Sequence, residues 1–215
     1  MRYFIANWKA NKNTDEAQDW LDRFLKLSFR NDRVKIIVCP AFHLLYPLRL
    51  KLKDYPFISL ASQDVSAFES GSYTGEVTTK SLQGLVDYAI IGHSERRKYF
   101  NETYELLTKK VFLAKKYQIE PIFCLRNEND PIPAGIQIVA YEPVYAIGSG
   151  DNEPVEKVLA VKQKLKLSKN TVFLYGGSVN KNNISSYLHR QEIDGLLIGS
   201  ASLTAKEFHD IVNQA

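Results

Sequence analysis

Short apolar runs and longer amphipathic stretches take turns along the whole chain. Eight runs stand out: Tyr3–Ala6, Ile36–Cys39, Phe57–Ala61, Tyr88–Ile91, Pro121–Leu125, Ile138–Tyr141, Val172–Tyr175 and Leu196–Ile198. They are nearly continuous in hydrophobicity, the pattern of strands buried on both faces. The spacing between them predicts helices. Thr14 reads as an N-cap, with Asp15 and Glu16 in the first turn, where unpaired amides favour acidic side chains. Ala17, Trp20, Leu21, Phe24 and Leu25 then fall on one helical face. A second helix is expected over 103–118, with Leu106, Leu107, Val111 and Ala114 set against lysines. A third is expected over 153–167, with Pro154 near its first position. The last starts near Ser202–Thr204 and buries Phe208, Ile211 and Val212.

Eight strands alternating with helices leave two architectures, a doubly wound sheet or a closed eightfold barrel. No GxGxxG follows the first run. Polar residues instead close run after run: Asn7 and Lys9, Gln63, His93, Glu142, and Gly176-Gly177-Ser178. That arrangement favours a barrel, whose site is assembled at the C-terminal rim of its strands. One interval breaks the rhythm. Ile91 to Cys124 is 33 positions and Glu142 to Tyr175 is also 33, but Cys124 to Glu142 is only 18. The short interval holds Asn127-Glu-Asn-Asp-Pro-Ile-Pro133, with no helical period. The fifth barrel helix is therefore expected to be missing or reduced to a loop. That loop and the neighbouring helices would then cover the outer face of strands five and six.

Composition narrows the class further. The 215 residues, 45% hydrophobic and 24% charged, suit one domain, 1–215, with a substantial core. The net charge of +4 is mild and spread along the chain, which argues against a nucleic-acid surface and suits a small anionic substrate. Cys39 and Cys124 have no CxxC or zinc spacing and read as reduced, buried thiols. The apolar part of the N-terminus is too short for a signal peptide, and no run reaches membrane-spanning length. A cytoplasmic location and no membrane partner are expected.

The chemistry gathers at Ala140-Tyr-Glu-Pro-Val-Tyr-Ala-Ile-Gly-Ser-Gly150. Glu142 ends a buried strand, and Pro143 stops the sheet. Val144, Tyr145, Ala146, Ile147, Gly148, Ser149 and Gly150 then read as a flap closed by glycines. A strand-end carboxylate beside a flap is either a general base or an exposed rim carboxylate in an ion pair. The flap favours the base, because Ile147 would shield it on closure. His93 opens a helical turn, whose N-terminus disfavours a charged imidazole. His43, His189 and His209 fall in helical patterns without polar company and read as surface residues. Asn7 and Lys9 leave the first strand together; alternation puts both on one side with Trp8 opposite. Gly176-Gly177-Ser178 and Gly199-Ser200 end strands seven and eight, a recurrent phosphate position in such barrels.

The set Asn7-Trp-Lys9, Ile91-Gly-His-Ser-Glu-Arg-Arg97, the Glu142 flap, Tyr175-Gly-Gly-Ser-Val179 and Gly199-Ser-Ala-Ser-Leu203 resembles the triosephosphate isomerase family. The motifs occur in family order over the whole chain. The resemblance implies a single-domain (β/α)8 TIM barrel that interconverts dihydroxyacetone phosphate and D-glyceraldehyde 3-phosphate through an enediolate, with no metal and no cofactor. It assigns Glu142 as base, His93 as neutral proton donor, and Lys9 with Asn7 as stabilisers of the enediolate. Ser94 and Glu95 are auxiliary, with Glu95 oriented towards Lys9. It gives the phosphate to Gly148, Ser178, Gly199 and Ser200, and it makes Ile147 and Leu197 the clamp around Glu142. The loop Gln63 to Glu76, with Phe68, Tyr73, Thr74 and Gly75, resembles the family's dimer loop and implies a homodimer; alone on a monomer it would expose Val65, Phe68 and Tyr73.

Three positions depart from the family. Tyr145 stands where tryptophan is usual, Arg126-Asn127 where an acidic partner for it is expected, and Ser200 where a second glycine is usual. Tyr145 is therefore expected to find a different partner on the strand-five loop when the flap is open. A non-catalytic phosphate-binding barrel and another sugar-phosphate isomerase are the competing readings. The complete Lys9, His93, Glu142 set argues against the first, and the flap with its His-Ser-Glu-Arg-Arg companion argues against the second.

Overall fold

The computed structural model describes residues 1–28, 33–146 and 152–215. Eight parallel strands close into a barrel in chain order. They are β1 (Arg2–Asn7), β2 (Val34–Cys39), β3 (Ile58–Ser62), β4 (Tyr88–Ile91), β5 (Glu120–Leu125), β6 (Ile138–Tyr141), β7 (Val172–Tyr175) and β8 (Gly195–Ile198). Closure is made by β1 against β8, with Tyr3 opposite Gly195 and Ala6 opposite Ile198. All eight runs expected from the sequence are strands. Their continuous hydrophobicity follows from burial on both faces. Ile5, Ile37, Ile90, Ile122 and Leu174 fill the barrel, while Phe4, Ile36, Leu60, Ile91, Phe123 and Phe173 face the helices.

The helices are α1 (Thr14–Leu25), α2 (Phe42–Lys51), α3 (Thr79–Leu82), α4 (Ser94–Tyr99), α5 (Tyr104–Lys116), α6 (Val155–Lys164), α7 (Ile184–Leu188) and α8 (Ala205–Val212). The cap of α1 is Asn13, one residue before the Thr14 expected from sequence. Its side chain accepts from Glu16 N at 3.0 Å, and Glu16 reaches back to Asn13 N at 2.8 Å. This reciprocal capping box stabilises a helix by about 1 kcal/mol. The buried face is as expected: Trp20 stacks on Phe24 with ring centroids 4.6 Å apart, and its indole N–H donates to Ser202 O at 3.0 Å.

No helix joins β5 to β6; residues 126–137 form turns. Asp130 takes the organising role. Its carboxylate accepts from Arg126 N, Nε and Nη2 at 2.8, 3.0 and 2.7 Å, folding the loop over the end of β5. Ile132 and Ile136 pack against the core, and Arg97 lies over Phe123 while donating to Cys124 O at 2.9 Å. The short connection thus covers the strands that a barrel helix would otherwise cover. Among the described residues no helix is long and apolar enough to cross a membrane.

Candidate active site

The strand order brings the C-terminal ends of β1, β4, β6, β7 and β8 around one cavity of about 140 Å³. Glu142 follows β6 and is only 2% exposed. One of its oxygens lies 3.0 Å from His93 Nε2; the other accepts from Ser94 N at 3.3 Å. Ser94 thus meets the carboxylate through its amide. Gly176, just past β7, leaves room for the Glu142 side chain: a Cβ there would lie 2.8 Å from Glu142 Cγ.

His93 caps α4, and its Nδ1 accepts from Glu95 N at 3.3 Å. An acceptor nitrogen carries no proton, so the proton of the neutral ring is on Nε2, pointing at Glu142. Burial lowers the His93 pKa, but the Glu142 charge, its hydrogen bond and Glu95 outweigh burial and hold it above the ordinary 6.5. The upward pull depends mainly on Glu142 lying against the ring, and a substrate placed between the two would remove it. The neutral ring expected from sequence therefore rests on the amide at Nδ1, while the neighbouring carboxylate works against it.

Lys9 does not continue β1 as extended chain. Its φ is +53°, so simple alternation does not describe it. Asn7 Oδ1 accepts from Lys9 N at 3.1 Å. Gln63 Nε2 donates to Lys9 O at 2.8 Å and to Cys39 O at 2.9 Å. These bonds hold a conformation that costs a non-glycine residue about 1 kcal/mol or more. The Lys9 ammonium lies 2.5 Å from Glu95 Oε1, and Asn7 and Lys9 both line the cavity.

Ser178, Leu197, Gly199 and Ser200 line the same cavity. Gly199 O accepts from the Ser202 amide at 2.9 Å and its hydroxyl at 2.6 Å, turning the chain after β8 into a tight helical turn. Pro143, Val144 and Tyr145 leave the rim as the start of a second such turn, Val144–Ala146. Ile147, Gly148, Ser149 and Gly150 lie outside the described residues.

In this conformation the Tyr145 hydroxyl meets an acid outside the strand-five loop. It is 57% exposed and hydrogen-bonds Glu153, which pushes its pKa up to about 12. The acid sits on the segment entering α6, a place no sequence motif marked. Cys124 is the buried thiol the sequence predicts, and burial together with the Glu142 charge holds it well above its ordinary range. His209 departs from expectation too, with its ring 2.8 Å from Ser28 O and 3.0 Å from Asn213 Nδ2.

The loop 63–76 is anchored at its base. Lys110 holds Asp64 at 2.7 Å and Glu102 at 2.5 Å, and Arg96 of α4 holds both acids at 2.9 and 2.7 Å. Val65 is fully buried within the chain, contrary to expectation, while Phe68 and Tyr73 are 43% and 44% exposed and stack 3.7 Å apart. Thr74, Gly75 and Glu76 are exposed.

A family model described as triosephosphate isomerase matches residues 2–215. Relatives named triosephosphate isomerase include one from Dictyoglomus turgidum, 35% identical, and one from Mesomycoplasma hyopneumoniae, also 35% identical. A third, from Aquifex aeolicus, is 32% identical. Each alignment covers 98% of this chain and 98% of the relative. The first alignment runs over 245 positions against 215 residues here, so this chain lacks residues that its relative has.

Proposed function

The chain belongs to the triosephosphate isomerase family, and we propose that its rim interconverts dihydroxyacetone phosphate and D-glyceraldehyde 3-phosphate by proton transfer through an enediolate. The observation that carries this reading is Glu142 and His93, 3.0 Å apart, facing a cavity that Lys9 and the glycine-bearing ends of β7 and β8 also line.

Glu142 takes the proton from the carbon beside the carbonyl, and the C–H electron pair moves through the new C=C bond onto the carbonyl oxygen. His93 Nε2–H donates to that oxygen. The ring then recovers a proton from the neighbouring hydroxyl, and Glu142 returns its own to the adjacent carbon. Nothing is consumed, so atoms and charge balance with these groups alone. Lys9, with Asn7, offsets the negative charge of the enediolate, a contribution worth about 3 kcal/mol for a single well-placed donor. The Glu95 carboxylate keeps the Lys9 ammonium in position. Ser178, Gly199 and Ser200 hold the phosphate through backbone amides, with Gly148 as a further ligand. Leu197 and Ile147 keep the base dry, which suppresses loss of phosphate from the enediolate.

The working form is a homodimer. The support is the stacked, half-exposed pair Phe68 and Tyr73 on an anchored loop, whose burial would remove apolar area from water. The free, buried thiols Cys39 and Cys124 suit a reducing cytoplasm.

The test is isomerisation of dihydroxyacetone phosphate in D2O. The product is expected to carry solvent deuterium at C2, because the proton on Glu142 can exchange. Absence of turnover refutes the activity.

A further inference from the structure

Glu153 belongs to none of the motifs above, yet it is a buried acid with partners on several elements around the rim. It is 5% exposed. Among the described residues, the carboxylate takes its hydrogen bonds from two tyrosine hydroxyls: Tyr141 at 3.2 Å, and Tyr145. Its main chain is held as firmly. Glu153 N donates to Tyr175 Oη at 2.8 Å, and Tyr187 Oη donates to Glu153 O at 2.5 Å. Tyr187 in turn accepts from Asn152 Nδ2 at 2.8 Å and stacks on Tyr175 with centroids 4.4 Å apart.

Each tyrosine leads back to the site. Tyr141 immediately precedes Glu142, and its carbonyl accepts from Gly176 N at 2.8 Å. Tyr145 lies three residues beyond Glu142. Tyr175 precedes Gly176-Gly177-Ser178, and its hydroxyl lies so close under Gly177 that a Cβ there would overlap it. The Tyr175 oxygen is thus the floor of the phosphate loop, and the Glu153 amide fixes that oxygen. One residue therefore ties the strand end that carries the base to the loop that follows the neighbouring strand β7. A carboxylate is suited to this, because it can accept from two hydroxyls at once. A charged acceptor also makes stronger hydrogen bonds than a neutral one.

We propose that Glu153 is a positioning residue for the isomerisation, setting the Gly176–Ser178 phosphate loop in register with Glu142 through Tyr141, Tyr145 and Tyr175. The proposal rests on the functional reading above. It deepens that reading by naming a residue that never touches substrate but governs how well the phosphate and the base serve the same molecule. It also explains how the β5–β6 loop can do without a partner for Tyr145: the partner is on the other side, on the segment entering α6.

The test compares wild type with Glu153→Ala, Glu153→Gln and Tyr145→Phe as full-length protein. Three readouts are taken: kcat/KM for glyceraldehyde 3-phosphate, kcat/KM for unphosphorylated D-glyceraldehyde, and the dissociation constant of inorganic phosphate by calorimetry. Glu153→Ala is expected to lower kcat/KM for the phosphorylated substrate about tenfold more than for glyceraldehyde, and to weaken phosphate binding severalfold. Glu153→Gln keeps one good acceptor and recovers part of the loss. Tyr145→Phe, an exposed position with little effect on folding, gives a smaller loss of the same kind. Equal losses for both substrates with unchanged phosphate binding would reduce Glu153 to a purely structural residue and overturn the proposal, as would wild-type kinetics in Glu153→Ala. An inactive wild type would refute the functional reading instead. The phosphate measurement still decides the Glu153 proposal in that case.

Discussion

Gly176→Ala is the substitution whose consequence the geometry fixes most closely. The added Cβ would stand 2.8 Å from Glu142 Cγ and 3.4 Å from Tyr141 O. Carbon atoms in contact sit about 3.5–4.0 Å apart, so Glu142 and the loop must separate by roughly 0.7–1.2 Å. The backbone side is fixed, because Gly176 N donates to Tyr141 O at 2.8 Å, so the yielding part is the Glu142 side chain. Its carboxylate is held at 3.0 Å from His93 Nε2 and 3.3 Å from Ser94 N. A misplacement of about 1 Å costs on the order of 10²-fold in rate, or about 2.7 kcal/mol of barrier. Overpacking adds about 1–3 kcal/mol of instability. The assay is steady-state isomerisation of glyceraldehyde 3-phosphate, read by coupled reduction of dihydroxyacetone phosphate, with a thermal melt to establish that the variant is folded. The expected result is a folded protein with kcat reduced by about two orders of magnitude. A kcat within about threefold of wild type would refute the tight placement of the base against β7.

Two further predictions follow from the same geometry. In Glu142→Gln the main upward influence on His93 is removed while burial and Lys9 still act downward, so its NMR titration should fall below that of wild type. Wild-type His93, held above 6.5, stabilises the fold below that pH, and the contribution is lost as pH rises through the folded-state pKa; the same titration followed by thermal unfolding should show this slope in wild type and lose it in the variant. Asp130→Ala deletes the acceptor of three Arg126 hydrogen bonds and should cost about 2–4 kcal/mol, lowering Tm by roughly 4–16 °C. Arg126 holds the Asp130 pKa below the ordinary 3.8 despite burial, so this contribution is present above pH 3.8 and declines as pH falls through the folded-state pKa; a Tm difference that does not shrink at all on acidification below pH 3.8 would contradict it.

The barrel was legible in the sequence because its signal is repeated: eight buried strands give eight continuous apolar runs, and a missing helix shortens one interval. What was hidden depended on single side chains. Asn13 and Thr14 are both good capping types, and only the reach of Glu16 back to Asn13 N decides between them. Asp130 looks like one more polar loop residue until the fold brings Arg126 onto it. Lys9 was placed on the right wall by an argument about extended chain, but its positive φ is set by Asn7 and Gln63, and the latter is 54 positions away. Tyr145 was expected to reach the strand-five loop because relatives place a partner there. Glu153 lies beyond the flap in sequence, and only closure of the barrel brings it beside Tyr141, Tyr145 and Tyr175. The sequence has Val65 covered only by a partner chain, but the ion cluster of Asp64, Arg96, Glu102 and Lys110 holds the loop base against the body, where Val65 is buried within the chain itself.

The measurement that tests the account most directly is the isomerisation rate of Glu142→Gln beside wild type. The amide keeps the shape of the side chain and can still accept from Ser94 N, but it cannot take a proton from carbon. Wild type is expected to interconvert the two triose phosphates, and the variant to lose about 10²–10⁴-fold in kcat with its Tm close to that of wild type. A folded Glu142→Gln variant turning over within a few-fold of wild type would contradict the assignment of Glu142 as the base.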